Sequence, residues 1–263
     1  MYINFNKKFD LDKETLNDPV VLIGWPGIAL VGKLAITSIA DSLEADLFME
    51  IEFFDLPPKS KVEDGSLNIP SASVYYKSRP NQNDFFILTG DYQPQSPEGV
   101  FEFSQKFCEE MEKITDGKIK MYISSGAMVS DKKVDREKPT IFICGTHDDM
   151  VKKFLEHEDT EIMESGVIAG ANGILPAWAG NKGFAPGICL LAETLPLPMM
   201  NLDPKASKSL VSLLKDHFGI EMTYEELDKK IEEMEEALES FKKQANHIMR
   251  GERPEKGPES YFR

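Results

Sequence analysis

The sequence predicts an α/β fold built on a largely parallel central sheet flanked by helices. Three observations predict it. Short apolar, β-branched runs recur along the chain, most of them end at a glycine, and segments with helical apolar spacing lie between them. Runs that are apolar at nearly every position suit strands covered on both faces.

In chain order, Asp18 to Gly24 is a buried strand bounded by turn residues. After Trp25-Pro26-Gly27, the segment from Ile28 to Leu43 is apolar at nearly every helical spacing and predicts a helix packed on a sheet. Leu47 to Asp55 is a second extended run, stopped by Pro57-Pro58. Ser73–Lys77 and Asp84–Gly90 are two more strands. Pro97 to Ile114 reads as a helix with Val100, Phe101, Ser104, Phe107, Cys108 and Met111 along one face. Ile119–Gly126 and Pro139–Gly145 are further strand-to-glycine passages, with a short helix expected from Met150 to Glu156. Ser165 to Gly173 leads into Ile174-Leu175-Pro176. Gly187–Glu193 is a late buried strand followed by a proline loop, and Pro204–Phe218 a helix. No repeat and no linker interrupts the first 220 residues, so residues 1–220 are expected to form one core domain.

Residues 221–250 carry a different pattern. Thr223-Tyr-Glu-Glu226 has the form of a capping box, in which the threonine and the glutamate satisfy the first free amides of a helix. From there Leu227, Ile231, Met234, Leu238, Phe241, Ala245 and Ile248 alternate steps of four and three. That is an a/d seam, with acids early and lysines late as the helix dipole prefers. The seam suits either a contact with the chain's own body or a coiled-coil contact with another subunit. Residues 251–263 are a charged, proline-punctuated tail that buries too little apolar surface to fold alone. It closes on Tyr261-Phe262-Arg263, two aromatics beside a carboxylate, a pattern that other proteins' pockets capture.

Composition removes several function classes. A net charge of −15 offers no basic stripe to replace counterions on nucleic-acid phosphates, and it disfavours an anionic membrane surface. Cys108, Cys144 and Cys189 are widely spaced and odd in number, which fits neither a disulfide framework nor a zinc site. No signal peptide and no apolar stretch of membrane-spanning length is evident, so a soluble cytoplasmic protein is expected.

The motifs that could carry chemistry are weak. Gly27-Ile-Ala-Leu-Val-Gly32-Lys33-Leu34 nearly spells a phosphate-binding loop, but Leu34 stands where a magnesium-binding hydroxyl is needed. Gly24, Gly27, Gly170 and Gly173 could form anion-binding turns through backbone amides, although tight turns and close packing explain them more simply. His147, beside Asp148 and Asp149, and Glu193, closing an apolar strand, are the residues an enzyme would use. No catalytic residue, metal site or cofactor is assigned. A small-molecule enzyme of nucleoside phosphorylase or hydrolase type is the alternative reading.

The strand leading to Gly24-Trp25-Pro26-Gly27, then Gly170-Ala-Asn-Gly173-Ile-Leu-Pro176, then Gly187-Ile-Cys-Leu-Leu-Ala-Glu193-Thr194 and the helix start at Asp203-Pro-Lys-Ala-Ser207 resemble the proteasome assembly chaperone family in order and spacing. The likeness is to the archaeal branch and covers most of residues 15–249. It implies a nucleoside-phosphorylase-like α/β fold, no catalysis, homo-oligomerisation with a trimer or tetramer favoured, and engagement of proteasome core-particle α subunits. Proteasome activators resemble one another in ending hydrophobic-Tyr-X. Here Tyr261 matches the hydrophobic residue, Phe262 the penultimate aromatic and Arg263 the carboxylate bearer. Phenylalanine for tyrosine keeps the ring and loses a hydroxyl, which a pocket that chiefly buries the ring would tolerate. About ten to twelve tail residues reach at most ~35–40 Å when extended, enough to pass from a body resting on a ring into a pocket of it.

Overall fold

The computed structural model describes residues 1–129, 138–194 and 201–236. Leu238, Phe241, Ala245, Ile248, Tyr261, Phe262 and Arg263 lie outside the described residues. The elements are β1 (Ile3–Lys7), β2 (Val20–Gly24), α1 (Val31–Ser42), β3 (Asp46–Phe53), β4 (Lys61–Glu63), β5 (Ser66–Asn68), β6 (Ala72–Lys77), β7 (Phe85–Gly90), α2 (Pro97–Thr115), β8 (Met121–Val129), β9 (Ile141–Gly145), α3 (Asp148–Phe154), β10 (Thr160–Ile162), α4 (Ala171–Asn181), β11 (Gly187–Thr194) and α5 (Pro204–Phe218). A further helix, α6, runs over residues 225–236.

Among the described residues, nine strands form one sheet in the order β1-β3-β6-β7-β2-β8-β11-β9-β10, and β4 and β5 form a separate hairpin. The centre is parallel: β2 pairs with β7 and β8, and β8 with β11. One flank is antiparallel through β1–β3, β3–β6 and β6–β7; on the other, β9 runs antiparallel to β11 and β10 parallel to β9 at the outer edge. The expected α/β class with flanking helices therefore holds, with a parallel centre inside mainly antiparallel margins.

Alternation across the central strands feeds two cores. Val20 and Leu22 face α1, α3 and α5 with Ile123, Leu190 and Phe154. Val21 and Ile23 face α2 and α4 with Phe86, Phe103 and Leu175. The two strand faces are apolar because both are covered, the condition that parallel strands require.

Helix ends follow local chemistry. Ser96 Oγ accepts from the Gly99 amide at 3.0 Å, with Pro97 in the first turn of α2. At α5, the buried Asp203 carboxylate takes the Ala206 amide at 3.2 Å and the Thr194 hydroxyl at 2.6 Å, fastening the helix start to the end of β11. At its other end the Arg79 guanidinium donates to the Phe218 and Gly219 carbonyls at 3.0 and 3.1 Å, satisfying groups the helix leaves free.

Several expectations need correcting. The helix expected from Ile28 starts at Val31, because Ala29 and Leu30 both adopt left-handed φ, 46° and 50°. On α2, Phe103 is fully buried together with the expected Phe107, while Phe101 stands out toward Trp178 with ring centroids 6.2 Å apart. The Ile174-Leu175-Pro176 stretch lies inside a helix, α4. The C-terminal helix begins against the core, with Leu227 buried in the same cluster as residues of α1 and α5.

One packing detail carries a pH dependence. His217 on α5 stacks on Phe154 at 3.9 Å and shares a 3.1 Å hydrogen bond between its Nδ1 and His157 Nε2. Burial, then the neighbouring His157, push its pKa down to about 4. The folded protein thus binds fewer protons here than the unfolded chain. The stabilisation is complete above pH ~6.5 and is lost as pH falls toward 4. Between pH 7 and 4.5, urea denaturation of the His217→Phe variant is expected to show about 1–2 kcal/mol less loss of stability than the parent, after solvent screening on the open side. Equal acid sensitivity of the two proteins would contradict this.

Candidate functional site

The carboxyl ends of β2, β8 and β11 open a cleft of about 410 Å³, the place where open α/β sheets put their sites. Two of the predicted glycine turns meet there. The backbone after β2 carries Trp25 and Gly27, and the start of α4 carries Gly170 and Gly173. Side chains bridge them. Asn172 Oδ1 accepts from the Trp25 amide at 3.4 Å, and the Asn172 carbonyl accepts from Ser124 Oγ at 2.6 Å. Gln93 donates through Nε2 to the Pro26 carbonyl at 3.1 Å and accepts through Oε1 from the Ala171 amide at 2.9 Å. Gly170 is required here: its φ is 73°, and a Cβ would sit 2.2 Å from Gln93 Oε1.

Of the four glycines expected to form anion turns, close packing accounts for Gly24, Gly170 and Gly173, while nothing lies closer than 3.9 Å to a Cβ built at Gly27. The first amide of α4, the donor an anion would need, is already bonded to Gln93. Gly24 and Gly173 are packing positions, since a Cβ would lie 2.6 Å from the Gly32 carbonyl oxygen and 2.3 Å from the Ile168 carbonyl oxygen respectively. Lys33, the lysine of the near-P-loop, donates to the Gly90 carbonyl at 2.8 Å. Ile28, Met128, Val129, Met163, Ile168 and Leu191 supply most of the wall. Its rim includes exposed apolar side chains at Ile28 and Val129, with Val167 92% exposed. Such a surface suits apolar contact better than acid–base or phosphate chemistry.

The two residues offered for catalysis are held apart. His147 caps α3 just beyond the end of β9, exposed, with its Nδ1 2.8 Å from Thr146 Oγ1. Glu193 is buried near the end of β11. Because β9 runs antiparallel to β11, His147 lies past the start of β11 and Glu193 near its finish. Six residues of strand separate those levels, roughly 20 Å, so one substrate cannot touch both.

The seam of α6 is used from the inside outward. Leu227 is 1% exposed in the core, whereas Ile231 and Met234 are half-buried. Lys208 pairs with Asp228, and Lys205 with Glu235 at 2.6 Å, tying α6 to α5. Leu227 is therefore unavailable to another subunit, and a contact along this seam can begin only at Ile231.

Sequence reasoning missed the β4–β5 hairpin. Asp64 and Gly65 form its turn with φ of 49° and 78°, and Val62 lies directly opposite Leu67. Val62, Leu67 and Ile69 are 69%, 73% and 85% exposed. Nearby in sequence, Phe54 is also exposed and stacks on Tyr2. The Asp-Gly pair between apolar residues was the available signal. A two-stranded hairpin with an uncovered apolar face is marginal in water, and such a face marks an interaction surface. Among the described residues, no helix is long and apolar enough to cross a membrane.

Comparison with known proteins agrees with this geometry. A model of the PAC2 family matches residues 21–242. Uncharacterized protein MJ1210 of Methanocaldococcus jannaschii is 29% identical over 233 residues, covering 88% of this chain and 86% of that protein. The solved structure of Pyrococcus furiosus PbaB, an archaeal proteasome activator, superposes with a TM-score of 0.80 at 26% identity, over 91% of this chain and 98% of that one. Pyrococcus furiosus PbaA, an archaeal homolog of proteasome-assembly chaperone, gives a TM-score of 0.73 at 23% identity over 95% of each chain, a likeness of fold.

Proposed function

The chain belongs to the PAC2 family, and from that premise we propose that it is a non-enzymatic, homo-oligomeric binding protein of the proteasome core particle, acting on its α subunits. The expected membership among proteasome assembly chaperone homologues holds. The observation that carries the proposal is the likeness to an archaeal proteasome activator over nearly all of that protein's length. The cleft, where Gln93 and Asn172 are bonded to backbone groups, and the separation of His147 from Glu193 support binding over catalysis. A cytoplasmic location follows from the role.

In this reading Tyr261, Phe262 and Arg263 anchor the protein in pockets of the α subunits, and the body rests on the ring. Several tails in one oligomer add avidity without strong individual sites. The test is binding of the full chain to immobilised cognate core particle and to free α subunits. Saturable binding to either is expected, and binding to neither would contradict the proposal. A thermal-shift panel of phosphate, nucleosides and nucleotides is expected to leave the melting temperature unchanged, because a native-state ligand would raise it.

The β4–β5 hairpin is assigned to the contact between copies. Replacing both Val62 and Leu67 by Asp is expected to lower the oligomeric mass measured by light scattering while leaving the circular dichroism spectrum intact, since both side chains are solvent-exposed within one subunit. An unchanged mass would remove the hairpin from the interface.

A further inference from the structure

Cys144 on β9 and Cys189 on β11 are direct register partners in the antiparallel ladder, so their side chains leave the same face of the sheet. The neighbouring ladder bonds, from the Thr146 amide to the Gly187 carbonyl at 2.9 Å and from the Glu193 amide to the Thr140 carbonyl at 2.8 Å, fix the phase of the pairing. By alternation the two cysteines occupy a hydrogen-bonded position, where opposed Cα atoms lie about 5.5 Å apart. Disulfides span Cα separations of roughly 4.4–6.8 Å. Both cysteines border a groove of about 620 Å³ that also reaches Gly173 and Pro176 of α4. Cys144 is half-buried at this groove, while Cys189 lies beneath, 6% exposed, with its Sγ 3.5 Å from the Asn172 carbonyl.

We propose that Cys144 and Cys189 form an oxidative modification site, a dithiol that low-molecular-weight disulfides convert to a cross-strand disulfide. Cys144 attacks first because it is the more exposed of the pair. Its sulfur bonds to one sulfur of the small disulfide, and the other departs as a thiolate with the bonding pair. Cys189 then gives up its proton, and its sulfur displaces the second small thiolate from Cys144. The protein loses two electrons and two protons, and the small disulfide becomes two thiols. The closeness of the two thiols across the ladder favours this order of events. It lowers the Cys144 thiol to about 7 and, together with burial, raises Cys189. The product fastens β9, second from one end of the sheet, to its neighbour β11.

Cys108, fully buried on α2 with its thiol pushed up to about 12 by burial, serves as an internal control. The experiment treats the folded full chain with oxidised glutathione, followed by denaturing alkylation and peptide mapping. The expected product is two hydrogens lighter, carries a peptide joining Cys144 to Cys189, and retains one alkylatable thiol, Cys108. Its melting temperature rises by several degrees and returns on reduction. Cys189→Ser is expected to stop at a stable glutathione adduct on Cys144, which separates loss of the resolving thiol from loss of reactivity. Three alkylatable thiols after treatment, a persistent glutathione adduct on the parent protein, or a disulfide that includes Cys108 would each overturn the proposal.

Discussion

Removing Tyr261, Phe262 and Arg263 is expected to weaken binding to the cognate core particle at least about tenfold, ~1.4 kcal/mol or more, without changing the melting temperature. Tyr261 and Phe262 are the two aromatic residues among 251–263 and carry most of the apolar surface of that sequence. Truncating aromatic anchors is where interface energy is lost. In the proposed homo-oligomer multivalency would enlarge the loss, because every copy would surrender its anchor together. Phe262→Ala should reproduce most of the deficit. Phe262→Tyr is the informative companion. It restores the hydroxyl found in the activator pattern, so stronger stimulation of peptide hydrolysis by the particle at similar affinity would separate gate opening from docking. Unchanged affinity on truncation would move the interface to the body or to α6.

The second large effect is on folding. Gly32→Ala is expected to destabilise the protein by about 3 kcal/mol or more, read as a fall in the urea midpoint or failure to accumulate folded protein. A Cβ at this position would lie 1.9 Å from the Ser125 carbonyl oxygen and 2.5 Å from its carbon, atoms of the central strand β8 that cannot rotate away. Gly27→Ala is the internal comparison. Its nearest foreign atom would be Asn172 Nδ2 at 3.9 Å, so a change within about 0.5 kcal/mol is expected. The contrast separates two explanations of one glycine-rich stretch. A phosphate cradle would need the loop around Gly27 open to backbone approach, whereas packing needs Gly32 bare. Equal tolerance at both positions would contradict the packing account.

The sequence made the covered strands legible because each is a short apolar run ended by a turn residue, as with Val20–Gly24 and Phe85–Gly90. It did not reveal direction. Ile141–Gly145 looks like its parallel neighbours, yet it runs antiparallel to β11, because a short apolar run carries no signal of the direction of the strand it pairs with. That one reversal separates His147 from Glu193. Helix α4 was obscured by its glycines and by Pro176, residues that weaken a helical pattern without preventing a helix held between β8, β11 and α2. The assignment of Phe101 over Phe103 failed because both fit an apolar stripe, and only the packing of Trp25 and Phe53 against Phe103 decides between them. The seam of α6 was visible, but not that Leu227 would be used by the body. Of the candidate site, the meeting of Gly27 with Gly170–Gly173 was foreshadowed. The Gln93 and Asn172 bridges that fill it were not, since single amides leave no pattern in a sequence.

Native mass spectrometry of the full chain mixed with its cognate proteasome core particle tests the central claim most directly. The account predicts a species at the mass of the core particle plus two or more copies of this chain. Only free core particle and free protein, with no species combining this chain with the core particle or with its isolated α subunits at any mixing ratio, would contradict it.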